Sequence, residues 1–162
     1  MIAGFERLTE DQFQLTKDAI AWITVLIAGA DGKIDEEETA WAAKVTKIRG
    51  YHNPNELTAF YELVGAEFSA KLGDLLAHVP TDVKQRTDLL TRKIEQLNDT
   101  LPILDNNMGH HLIGSYRSFA KHVAKASGGF LGFFSVSSEE SQLIDLPMLR
   151  DIPYVEAEDE EE

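Results

Sequence analysis

Residues 28–38 read AGADGKIDEEE, and the fold is decided by how this stretch is read. An apolar run, AIAWITVLIAGA at 19–30, arrives at it, and a charged helical pattern leaves it. Gly32 can take the positive φ that closes one helix and reverses the chain. Asp35 stands where the N-cap of a second helix belongs, and Glu38 three residues on completes a capping box. That helix is predicted to start near Glu36. Its first turn gathers carboxylates, each favoured by roughly 0.3–1 kcal/mol against the helix dipole. Ile34, just before the cap, packs back as a hydrophobic staple.

Outward from this corner the periodicity is helical throughout. Thr9-Glu10-Asp11-Gln12 is a capping box, so a helix runs from about Glu10 to Gly29, and from Ala19 to Ala28 it is apolar nearly all round. Such a helix belongs at the centre of a bundle. Before it, residues 1–8 form an arm whose Phe5 and Leu8 can dock on the body. After the corner, Trp41, Val45 and Ile48 recur at helical spacing until Gly50. Asn53-Pro54-Asn55-Glu56 reads as cap, N1 proline and box partner for the next helix, and Leu57, Phe60, Tyr61, Val64, Phe68, Leu72, Leu75 and Leu76 carry its period to His78. Gly65 and Gly73 leave open whether this is one helix or two. Pro80 ends it, Thr81 or Asp82 caps the following stripe of Val83, Leu90, Ile94 and Leu97, and Met108, Leu112, Tyr116, Phe119 and Val123 form one more buried face. No segment alternates with period two, so the expectation is an all-α, single-domain helical bundle of about seven helices.

The second half echoes the first. Val136-Ser137-Ser138-Glu139-Glu140 repeats the order of Ile34-Asp35-Glu36-Glu37-Glu38 after the glycine-rich GGFLGFFSV, which implies two pseudo-symmetric helix-hairpin halves. Leu143, Ile144 and Leu146 are read as continuing the last helix to Pro147. Beyond Arg150 the chain is read as irregular, with Ile152 and Tyr154 pinned to the body and 151–162 forming an acidic tail.

Composition narrows the function classes. With 43% hydrophobic and 27% charged residues the chain reads as an ordinary soluble domain, and without cysteine it has neither disulfide nor thiolate chemistry. Six of the thirteen net negative charges lie on Glu156, Glu158, Asp159, Glu160, Glu161 and Glu162. An acidic chain disfavours nucleic acid and anionic membrane as partners. The apolar run at 19–30 is too short to cross a bilayer and no basic segment precedes it, so the expected location is cytoplasmic.

The order ADG-K-I-D-x-x-E at 30–38 resembles the helix-turn-helix signature of tellurite-resistance TerB-like domains, which recur in bacterial stress proteins and in membrane-anchored DnaJ-type co-chaperones. AKASGGFLGF followed by VSSEE is similar to the closing hairpin of the same family, and the likeness spans roughly residues 9–150. It implies a stress-associated interaction module that is not an enzyme. It also implies divalent-metal binding, of the calcium or magnesium class, through Asp31 and Glu38, with Glu140 the counterpart of Glu38 in the second hairpin. Five carboxylates between 31 and 38 make the oxygen-rich setting such cations prefer. Capping alone also explains Asp35 and Glu38. An EF-hand is excluded, because its first and third positions fall on Ile27 and Gly29.

Other chemistry finds little support. His110 and His111 are adjacent on a helix and point about 100° apart, while His111 and His122 are separated by roughly 16 Å of helical rise. They read as rim residues. There is no G-x-S-x-G, and SGGFLGF lacks the lysine and hydroxyl of a phosphate loop. Phe130, Leu131, Phe133 and Phe134 either plug the core or present a partner-binding patch. The expected partner is another protein or a second copy of the chain. The alternative to the metal module is a structural adaptor that binds protein through this aromatic hairpin with no ion.

Overall fold

The computed structural model describes residues 1–30, 34, 36–51, 56–105, 107–126 and 138–157, without the side chains of 36–38, 48, 50, 51 and 138–140. The helices are α1 (Glu10–Ala28), α2 (Glu36–Tyr51), α3 (Thr58–His78), α4 (Val83–Glu95), the single turn α5 (Leu97–Thr100), α6 (Met108–Ala126) and α7 (Ser138–Leu143). A 3₁₀ turn covers Leu101–Ile103, and no strand occurs among the described residues. The all-α domain expected from periodicity is what forms, with six helices longer than one turn among the described residues rather than about seven, and α5 as an added turn.

The fold is arranged around α1. Thr9 accepts from the Gln12 backbone N–H while the Gln12 side chain accepts from the Thr9 N–H, so the capping box is closed at both bonds. Every side chain from Ala19 to Ala28 is buried, and α1 packs against α2, α3, α4, α5, α6 and α7. Its two buried hydroxyls return to the helix itself, Thr16 donating to Phe13 O and Thr24 to Ile20 O, so neither is left unpaired. Phe5 is fully buried, stacked on Phe60 and edge-on to Phe13. Burial of such a ring contributes about 1.5–3 kcal/mol, which docks the arm on the core.

α3 is one continuous helix through Gly65 and Gly73, with Phe60, Tyr61, Val64, Phe68 and Leu72 inward. It starts at Thr58, later than the Asn53-Pro54 signal implied. Leu57 holds the cap position with no side-chain cap bond and is itself buried, so burial outranks capping chemistry there. Asp82, not Thr81, caps α4 by accepting from the Gln85 N–H. α2 meets the body through Ala42, Val45 and Thr46, while Trp41 stays 37% exposed under Lys44. The small Ala42 takes the inward position, and the indole is left at the edge.

The echo between halves is unequal in extent, since α2 runs sixteen residues and α7 six. The last helix does not continue to Pro147. It ends at Leu143, and Leu146 turns into the left-handed region (φ 48°) with its side chain fully buried. Arg117 holds this turn, donating from Nε to Asp145 O (2.8 Å) and from Nη2 to Leu149 O (3.3 Å). Residues 146–155 then form a strap along α5 and α6. Two asparagines hold it as short pieces of backbone would. Asn98 donates to Met148 O and accepts from the Arg150 N–H; Asn107 donates to Val155 O and accepts from the Val155 N–H. Ile152 packs on the core, as expected, and Tyr154 lies against the rings of His110 and His111.

Candidate functional site

Of the residues singled out by sequence, Asp31, Phe130, Leu131, Phe133 and Phe134 lie outside the described residues. Glu38 and Glu140 are each the third residue of their helices, α2 and α7, which start at Glu36 and Ser138 as the capping pattern required. Their side chains also lie outside the description, so the proposed ligand set of Asp31, Glu38 and Glu140 has no measured geometry.

What surrounds the α1–α2 corner is nevertheless well defined. Gly29 caps α1, and Arg86 of α4 reaches it from below with only 4% exposure. Nη2 donates to Gly29 O (2.9 Å), and Nη1 donates to Thr81 O (3.1 Å) and, weakly, to Pro80 O (3.4 Å). A Cβ on residue 29 would stand 2.9 Å from Arg86 Nη2, so only glycine permits the approach. The guanidinium sits where the carbonyl end of α1 carries partial negative charge, which helps to stabilise a buried cation. The carbonyl end of α1 is therefore held in place at Gly29.

A second arginine organises a polar cluster between α2, α3 and α6. Arg49 Nη1 donates to Tyr61 Oη (3.0 Å), Ser115 Oγ (2.8 Å) and Ser115 O (3.2 Å); Nη2 donates to Ser118 Oγ (3.1 Å) and His122 Nδ1 (3.4 Å). Its guanidinium lies over the rings of Tyr61 and Phe119. Tyr61 and Ser115 share a hydrogen bond at the inner end. Burial pushes the Tyr61 phenol above its ordinary value, and the nearby Arg49 charge and the bonds from Ser115 and Arg49 only partly offset this. Tyr116, donating to Thr16 O (2.7 Å), is raised further by burial and by Tyr61. Neither phenol is prepared to act as a base near neutral pH.

The histidines sit at the rim, as their spacing implied. His110 Nδ1 lies 2.7 Å from Ile152 O, and because a carbonyl only accepts, Nδ1 carries the proton. His111 Nε2 is 3.2 Å from Glu56 Oε1. His111 and Glu56, with Tyr154, Asn107, Glu6 and Asp105, line an open cleft of about 420 Å³ that His110 does not enter. A smaller groove of about 260 Å³ has Trp22 and Leu75 on its walls with Lys71, Lys93, Asp18 and His78 around them.

Among the described residues no group of three or more His, Asp or Glu side chains is placed to hold a metal ion. No described helix is long and apolar enough to cross a membrane. The clusters around Arg49 and Arg86 were missed by sequence reasoning because the contacts that bring their helices together join residues up to 73 and 57 positions apart, with no local spacing to mark them. No family model, no curated protein and no solved structure matches this chain.

Proposed function

We propose that the protein is a cytoplasmic, non-catalytic binding module of the TerB-like, stress-associated type, whose ligand-facing end is the α1–α2 corner and whose ligand is a hard divalent cation. One observation supports this reading: Arg86 anchors the carbonyl end of α1 at Gly29, two residues before the first of these acids in the sequence. Because Arg86 already answers the partial negative charge of α1, the cation is attracted by the carboxylates of 31–38, with Asp31 and Glu38 as ligands and Glu140 as the corresponding acid of the second hairpin. Oxygen-only donors without cysteine select calcium or magnesium over softer metals.

The test is calorimetric titration of the full chain with calcium, magnesium, manganese and zinc, repeated on Asp31→Asn and Glu38→Gln. Saturable heat for calcium or magnesium that both variants abolish is expected. Absence of heat for all four metals removes the cation from the reading.

A further inference from the structure

α3 and α4 both lie along α1 but do not pack along each other. Between them they leave a groove of about 260 Å³, floored by Ala21 and Trp22 of α1 and walled by Leu75 and Val79 on one side and Leu89 on the other. Clefts for drug-sized ligands run to roughly 300–1,000 Å³, so this slot suits a single flat ring.

The rim of the groove is charged, but each charge is already answered by a partner or by water. Lys71 Nζ lies 3.3 Å from Asp18 Oδ1, which also accepts from Gln14 Nε2 (2.9 Å). His78 Nδ1 donates to Asp74 O (2.7 Å), and the Asp74 carboxylate is open to solvent. Lys93 Nζ stands over the indole of Trp22, 5.4 Å from the ring centroid, in the last turn of α4, where the helix carbonyls favour a cation. Neither an anion nor a cation finds an unmet charge there.

One polar group on the floor has no such answer. Trp22 is only 8% exposed, and its indole N–H makes no hydrogen bond among the described residues. Lys93 cannot supply one, because an ammonium only donates. A buried indole N–H ordinarily finds an acceptor, and a buried donor left without one costs more than the bond itself contributes. What the groove lacks is therefore a neutral acceptor carried on an apolar body: the walls take the body, and the N–H takes the acceptor.

We propose that the groove between α3 and α4 binds a small uncharged aromatic molecule with one hydrogen-bond acceptor, of the aryl ketone or ester class, its ring against Leu75, Val79 and Leu89 and its carbonyl accepting from Trp22 Nε1–H. The groove shares no residue with the proposed cation site, and neither reading depends on the other. The test titrates acetophenone into the ¹⁵N-labelled full chain while following the Trp22 indole signal, the one of two that remains in Trp41→Phe. A saturable downfield shift of that N–H is expected. Trp22→Phe keeps an aromatic ring on the floor and removes the N–H. Followed at the Ala21 and Leu89 amides, it should weaken acetophenone about fivefold, the loss of one neutral hydrogen bond, and change toluene, the ring without the acceptor, little. Leu89→Gln, at a half-buried wall position, leaves the indole in place and should weaken both probes, which keeps the test separate from any effect of Trp22→Phe on folding. An indole signal that does not move saturably, an equal loss for both probes in Trp22→Phe, unchanged affinity for both in Leu89→Gln, or tighter binding of benzoate than of acetophenone would overturn the assignment.

Discussion

Replacing Arg86 by methionine keeps an unbranched chain of similar length in the same channel and removes only the guanidinium. Gly29 O and Thr81 O then lose their well-formed bonds at 2.9 and 3.1 Å, while Pro80 O at 3.4 Å loses little. Two bonds from a charged donor are together worth roughly 3–6 kcal/mol, and loss of the cation beside the α1 terminus adds up to about 2 kcal/mol. Relief of the cost of keeping a guanidinium away from water offsets part of this. A net loss of about 3–4 kcal/mol is expected, a large part of the roughly 5–15 kcal/mol that holds a domain folded. Urea unfolding followed by helical circular dichroism reads it as a lower midpoint at constant slope. Thermal unfolding reads it as a fall of about 6–16 °C for a domain of this size. Arg86→Lys keeps the charge but loses the fork and should fall between the two proteins. If Arg86→Met lies within about 1 kcal/mol of the parent, the buried guanidinium is not what secures the end of α1.

Two further outcomes follow from the strap and the buried phenols. Asn107→Ala should accelerate hydrogen exchange at the Val155 amide about tenfold or more while leaving the Arg150 amide, held by Asn98, unchanged; an unaltered Val155 rate would show that the strap is held by other contacts. Tyr61 and Tyr116 keep their protons in the folded state above the ordinary value of 10.0, whereas the unfolded chain gives them up there. Stability supplied by these neutral phenols is thus complete below about pH 10 and is lost as pH rises beyond it. Denaturation midpoints measured from about pH 9 to about pH 11.5 should fall less steeply in Tyr116→Phe, and an identical slope would contradict its raised value.

Helices and their starts were legible wherever the signal is local. The Thr9 box, the Asp82 cap, the onset of α2 at Glu36 and the inward face of α6 all depend on residues within two turns of each other. The start of α3 and the end of α7 were not, because each is set by what must be buried: Leu57 enters the core ahead of its helix, and Leu146 accepts a left-handed backbone to do so. Trp41 illustrates the same limit, since periodicity gives a residue's direction but not whether a neighbouring helix leaves room for an indole. The candidate site was least legible of all. Arg49 and Arg86 look like surface charges in the sequence, and only the meeting of α2 with α6 and of α4 with α1 gives them partners.

The position of α1 has a consequence for how the chain is made. The oiliest cylinder of the molecule is made before the other described helices, yet the last of them to pack on it, α7, is complete only at residue 143. At about 5–20 residues per second the interval is roughly 5–20 s. Throughout it the greasy rod is covered only by the walls already made, from α2 onward, or by a chaperone, so the order of synthesis decides how long it stays open.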